Sequence, residues 1–134
     1  MPAFFCPKCW KEVKENCKVC PHCGYKIGEF SLLSYEEKMI LALNHRVDEF
    51  KINAIRILKN IGSEKAVIAL RELFNKENSI PVLLEAVEAL KNLAFRHEIA
   101  LKCLKEIKNH RARVIRDAVN SSLIEVESLR SQQR

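Results

Sequence analysis

Between Ser63 and Ala94, apolar residues recur three and four positions apart, the spacing of one face of an α-helix. Ala66, Ala69, Leu70, Leu73 and Phe74 trace one stripe, and Leu83, Ala86, Val87, Leu90 and Leu93 trace a second. Polar residues Asn75 to Ser79 separate them. Pro81 falls in the first turn of the second helix, where its missing N–H has no helical partner to lose. The pattern predicts a helical hairpin. Ile68, Leu84 and Ala89 lie off the two stripes, so the hairpin carries more apolar surface than it can bury alone and needs a neighbour on each side.

The flanking sequence supplies both neighbours. Ser34-x-x-Glu37 reads as a capping box that opens a helix through Met39, Ile40 and Leu43 to about Arg46. Asp48 is expected to cap a second helix, with Phe50, Ala54, Ile57, Leu58 and Ile61 facing inward. Gly62 closes that helix and Ser63 caps the next. After the central hairpin, His97 to Lys108 carries Ala100, Leu101, Leu104 and Ile107, and Arg111 to Ser128 is its partner. The second helices keep a constant step: Ala54, Ala86 and Ala118 stand 32 residues apart, as do Asn53, Glu85 and Asp117. About three hairpins at this period predict an all-α chain, a short α-solenoid over residues 34–128 with a frayed tail at 129–134.

Residues 1–28 obey a different rule. Cys6-Pro-x-Cys9 and Cys20-Pro-x-Cys23 are two identical half-sites separated by ten residues. Each turn can present two sulfurs to one ion, and two turns complete a tetrahedron. Four thiolates leave no open coordination position, which points to one structural Zn²⁺ rather than a catalytic one. The segment has too little apolar surface to fold without metal. A disulfide framework is the alternative, and it fits poorly with five clustered cysteines and no apolar signal-peptide core at the N-terminus. Cys17 could form a pair with Cys20 at the same spacing, but the symmetry of the Cys-Pro-x-Cys turns leaves it as a spare thiol, and His22 is expected to be solvated. Residues 29–33 read as a linker.

This N-terminal stretch resembles the short zinc ribbons found at the N-termini of many bacterial and archaeal proteins. Trp10 departs from their pattern, standing where the first knuckle's glycine would be. A left-handed backbone is favoured there, so a distorted first turn is expected. Trp10 could dock the ribbon onto the helices or pack within the ribbon. The helical part resembles HEAT repeats of the phycobilisome-lyase type, best over INAIRILKNIGSEKAVIALRELF. The arginine that many such repeats place just inside the second helix is replaced by Lys51, Leu83 and Ile115. The resemblance therefore implies the stacking but no regular charge ladder between repeats.

Composition narrows the function. No apolar run approaches the roughly 18 residues of a membrane span, and a cytoplasmic location is expected. The formal charge of +6 falls to +4 once a four-thiolate zinc site is counted, which is mildly basic. There is no phosphate-cradling Gly-rich loop, nucleophile elbow or His-Glu-x-x-His, so neither an enzyme nor a small-molecule substrate is expected. The single His97-Glu98 pair cannot build the di-iron site of the HEAT-like deoxyhypusine hydroxylases, and it reads as a solvated helix start. Cys103 reads as a buried small hydrophobe, and His45 and His110 as surface residues. Residues 96–116 hold seven Lys or Arg against two Glu. Arg111, Arg113 and Arg116 there crowd a helix start, where positive charge opposes the helix dipole, which marks a possible anion site. The exposed positions of the second helices (Asn53, Glu85, Asp117; Arg56, Glu88, Asn120) are mixed in charge. They favour an adaptor that binds a protein partner or a second copy, the last hairpin with its surplus Leu123, Ile124, Val126 and Leu129 making the contact. The alternative is a nucleic-acid-binding protein using the ribbon and the 96–116 patch.

Overall fold

A computed structural model of the chain describes residues 3–132. Two short strands, β1 (Phe4–Phe5) and β2 (Glu12–Val13), pair antiparallel, and a 3-10 helix covers Ile27–Leu32. Six α-helices follow: α1 (Tyr35–Ala42), α2 (Asp48–Ile61), α3 (Glu64–Lys76), α4 (Ile80–Leu93), α5 (Glu98–Ile107) and α6 (Arg113–Gln132). They form three stacked hairpins. The second helices α2, α4 and α6 make one layer, and α1, α3 and α5 make the other. The chain is an all-α solenoid with a small N-terminal β-hairpin.

Local chemistry sets most boundaries. The capping box is complete: the Glu37 N–H donates to Ser34 Oγ at 3.1 Å, and the Ser34 N–H donates to the Glu37 carboxylate at 3.5 Å. Ser63 Oγ accepts from the Ala66 N–H at 3.1 Å and donates to the Glu36 carboxylate, which ties α3 to α1. Gly62 ends α2 at φ +69°, a conformation that suits a residue without Cβ.

The central hairpin finds its two neighbours. Helix α4 packs against α2, α3, α5 and α6. Val82, Leu83, Ala86, Val87, Ala89, Leu90 and Leu93 are all buried, so α4 is apolar nearly all round. Each such large side chain contributes about 1.5–3 kcal/mol of burial. Ala54 and Ala86, and Ala118 at the edge of the core, let the second helices approach closely.

Several boundaries differ from the sequence reading. Residues 29–32 of the expected linker lie in the 3-10 helix, and Leu33 caps it in an extended conformation. Val47, not Asp48, occupies the N-cap of α2; the Asp48 carboxylate instead accepts from Ser79 Oγ at 2.7 Å. Phe50 and Ile61 are 56% and 37% exposed while Ile55 is fully buried, because the inward face of α2 is centred on Ala54, Ile55 and Leu58. Of the tail expected at 129–134, residues 129–132 continue helix α6 through Gln132, and 133–134 lie outside the described residues. Arg130 holds that last turn by donating to the Glu98 carboxylate at 2.8 Å.

Polar ties between repeats exist despite the missing arginines. Lys51, at one of those positions, meets Glu77 at 2.6 Å, while Leu83 and Ile115 are buried in the core. Arg56 pairs with Glu85 at 2.7 Å, Arg71 with Glu106 at 3.0 Å and Lys91 with Glu125 at 3.2 Å. The His97 ring contacts the Gly62 carbonyl through Nε2 at 2.5 Å. His97 is thus an inter-repeat tie, while the exposed Glu98 ties α5 to α6 within the last hairpin.

Candidate metal centre and its contact with the repeats

Two matching turns build the centre. The Trp10 N–H donates to the Cys6 carbonyl at 2.8 Å, and the Gly24 N–H donates to the Cys20 carbonyl at 2.9 Å. Each turn is locked again by its first cysteine, whose N–H donates to Lys11 O at 3.0 Å or to Tyr25 O at 2.9 Å. Trp10 and Gly24 share the left-handed region, at φ +60° and +78°. Tryptophan therefore takes the glycine conformation, and the first turn keeps the shape of the second instead of being distorted.

These turns bring four sulfurs together. The Sγ atoms of Cys6, Cys9, Cys20 and Cys23 all lie within 4.8 Å of one another and could hold a metal ion. Cys6 and Cys23 are 3.6 Å apart, and Cys9 and Cys20 are 3.7 Å apart. A tetrahedral ion with metal–sulfur bonds of about 2.3 Å separates its sulfurs by about 3.8 Å, whereas a disulfide would need about 2.05 Å. The N–H groups of Lys8 and His22 point at Cys6 and Cys20 Sγ, each at 3.4 Å. Burial raises the Cys20 thiol, but the N–H groups of Cys23 and His22 and the neighbouring thiols bring it down to about 6. For Cys23, the Tyr25 N–H lowers the thiol, but burial and the surrounding sulfurs push it up to about 12. Four thiolates so close need a cation among them. Cys17 lies outside the cluster, with Sγ donating to the Val19 carbonyl at 3.1 Å, and the His22 side chain is exposed.

Trp10 docks the ribbon on the first hairpin. Its ring centroid is 4.1 Å from that of His45, which in turn is 4.6 Å from that of Phe50. Beside it, the Arg46 guanidinium lies 4.7 Å over the Phe5 ring. His45 Nδ1 accepts from the Val47 N–H at 2.9 Å, which leaves the ring proton on Nε2. Burial first, then the charges of Arg46 and Lys51, lower the His45 pKa and keep the ring neutral. His110 repeats the device in the last hairpin, accepting from the Ala112 N–H at 3.0 Å and meeting the Phe74 ring edge-on. Both histidines are half-buried turn locks rather than free surface residues, and the recurring Asn-His-Arg at 44–46 and 109–111 is the signal that marks them.

A profile described as HEAT repeats matches residues 36–124. The chain belongs to the HEAT repeat family. No curated protein and no solved structure matches it.

The HEAT layer formed by α2, α4 and α6 leaves Asn53, Arg56, Glu88, Asp117 and Asn120 exposed in a mixed-charge row. The three arginines of the last hairpin are not gathered into one pocket. Arg111 donates to the Asn78 side chain, and Arg113 lies 3.8 Å from Asp117. Arg116 folds back onto the carbonyls of His110 and Arg111, at 2.8 and 3.0 Å. Each guanidinium has a protein partner. In the same hairpin Val126 is buried and Ile124 is 70% exposed among polar neighbours. Cys103 is 1% exposed, and burial raises its thiol pKa. No helix among the described residues is long and apolar enough to cross a membrane.

Proposed function

We propose that this HEAT repeat chain is a non-enzymatic protein-interaction adaptor of the cytoplasm, with repeats of the phycobilisome-lyase-like type. The observation that carries the reading is the mixed-charge row on α2, α4 and α6, which crosses all three hairpins and takes no part in the core. Stacked repeats present such a face as one extended surface. Alternating Arg, Glu, Asp and Asn set partner choice and register rather than most of the affinity.

The ribbon holds one structural zinc ion on Cys6, Cys9, Cys20 and Cys23. The sulfur spacings, the all-thiolate donor set and the two N–H···S contacts fit that ion. The ion would fix the two turns and, through Trp10, cover the open end of the first hairpin.

A nucleic-acid role needs a run of cations free to meet phosphates. Arg56 pairs with Glu85, Arg113 faces Asp117, and Arg116 is spent on carbonyls, so the geometry favours protein over nucleic acid. Photo-crosslinking groups placed in cells at Asn53, Glu88 and Asn120, with Glu72 and Lys102 as outer-face controls, test the reading. Protein adducts specific to the first set, resistant to nuclease, are expected, and they include adducts between two copies if the partner is a second chain. Adducts to nucleic acid alone, or none above the controls, would overturn it.

A further inference from the structure

The ribbon does not lie flat on the first hairpin. Between them is an open cavity of about 400 Å³ whose wall is almost wholly apolar. Trp10 and Pro7 come from the ribbon, Phe30 from the 3-10 helix, Met39 and Ala42 from α1, and Phe50 and Ile57 from α2. A volume near the low end of ligand cavities, about 300–1,000 Å³, suits one or two side chains. The apolar surface also continues past the mouth, because Val47 is 40% and Phe50 56% exposed. A free small molecule filling the cavity would leave that rim bare, whereas a protein segment would cover both.

The polar groups around the cavity lean one way. Lys38 is the only charged residue in its wall, and it rests 5.3 Å over the Phe30 ring. Among the described residues Lys38 forms no ion pair. Trp10 Nε1–H is shielded from solvent and has no acceptor among the described residues. A cation with no carboxylate partner beside an apolar cavity calls for an apolar group flanked by a carboxylate.

We propose that this cavity seats the apolar anchor side chain of an acidic segment of a partner protein. The anchor fills the space between Trp10, Met39 and Phe50, and a neighbouring Asp or Glu meets Lys38. An anchor in a dry pocket with charges at its rim is how a few residues come to dominate an interface. The proposal rests on the adaptor reading and names one of its contact points.

Selection from a random peptide library on the zinc-loaded full chain tests it, followed by titration of the selected peptides against the emission of Trp10, the chain's single tryptophan. Expected are peptides that pair an aromatic or leucine with adjacent acids. Their binding should fall about tenfold or more in Lys38→Glu, be retained in Lys38→Arg, and fall likewise in Ala42→Phe, which fills the cavity. Lys38→Glu changes a side chain outside the core, so the test survives if Ala42→Phe misfolds. Selected peptides that bind all variants equally but lose affinity in Glu88→Lys would overturn the cavity proposal and leave the adaptor reading standing. Failure to select any peptide would also overturn it, and the crosslinking result then judges the adaptor reading separately.

Discussion

Removing the Glu77 carboxylate should loosen the joint between the first two hairpins. Glu77 accepts from Lys51 Nζ at 2.6 Å and from the N–H groups of Asn78 and Ser79, each at 3.0 Å. The Lys51 and Glu77 side chains are only 14% and 10% exposed. Glu77→Ala therefore leaves an ammonium that water barely reaches with only the half-exposed Asp48 carboxylate at 4.0 Å, and leaves two turn donors without their acceptor. Breaking a buried pair from one side costs about 3–5 kcal/mol. The small residual exposure brings the expectation to about 2–3 kcal/mol, a large part of the roughly 5–15 kcal/mol of an ordinary domain. Glu77→Gln can still accept from the two N–H groups and should cost about 1–2 kcal/mol. Urea unfolding of the zinc-loaded protein at neutral pH, followed by helical circular dichroism, measures both. A Glu77→Ala loss under about 0.5 kcal/mol, the scale of a plain surface change, would refute this reading of the joint.

The same group gives a pH dependence. Burial pushes the Glu77 carboxyl up, but Lys51 and the Ser79 and Asn78 N–H groups outweigh it and hold it below its usual 4.5. A depressed folded value means that the contribution is complete above the unfolded value and disappears as pH falls below it, through the folded value. The wild type should lose stability more steeply than Glu77→Gln in that acid range.

Three further outcomes are expected. Gly62→Ala places a Cβ in the left-handed region against the Arg96 guanidinium and should cost about 1–2 kcal/mol in the same unfolding assay, with Gly62→Asn milder. Leu90→Ala, at a fully buried site on α4, should cost about 2–5 kcal/mol, while Ile124→Ala, at a 70% exposed site, should stay within about 0.5 kcal/mol. Zinc loading in weak buffer at neutral pH should release close to one proton per thiol of the site, because with the turns undone the metal-free thiols titrate near the ordinary value of about 8.5 and hold their protons. A pH indicator reads the count.

The helices were legible because burying one stripe imposes a 3.6-residue period, and α4, buried on every side, has the densest apolar pattern. The four-cysteine cluster was legible because the repeated Cys-Pro-x-Cys turn fixes which sulfurs converge. What escaped depended on contacts distant in the chain. Asp48 looks like a cap, but Ser79, far along the sequence, claims its carboxylate. Residues 129–132 look like a tail because the Arg130–Glu98 contact that holds them joins two helices. Arg111, Arg113 and Arg116 stand together at the start of the last helix, but each side chain turns to its own protein partner. Phe50 lies on the predicted stripe, yet the cavity beside Trp10 leaves it half uncovered.

Trp10 emission before and after zinc removal tests most directly whether the metal-held ribbon and the HEAT repeats act as one unit. In the folded chain the indole is packed against His45, which bridges it to Phe50. Chelation should undo the two turns, shift the emission to the red and restore it on zinc addition, while most helical signal remains. Emission that stays unchanged when the metal is stripped would contradict both the structural role of the ion and the docking of the ribbon through Trp10.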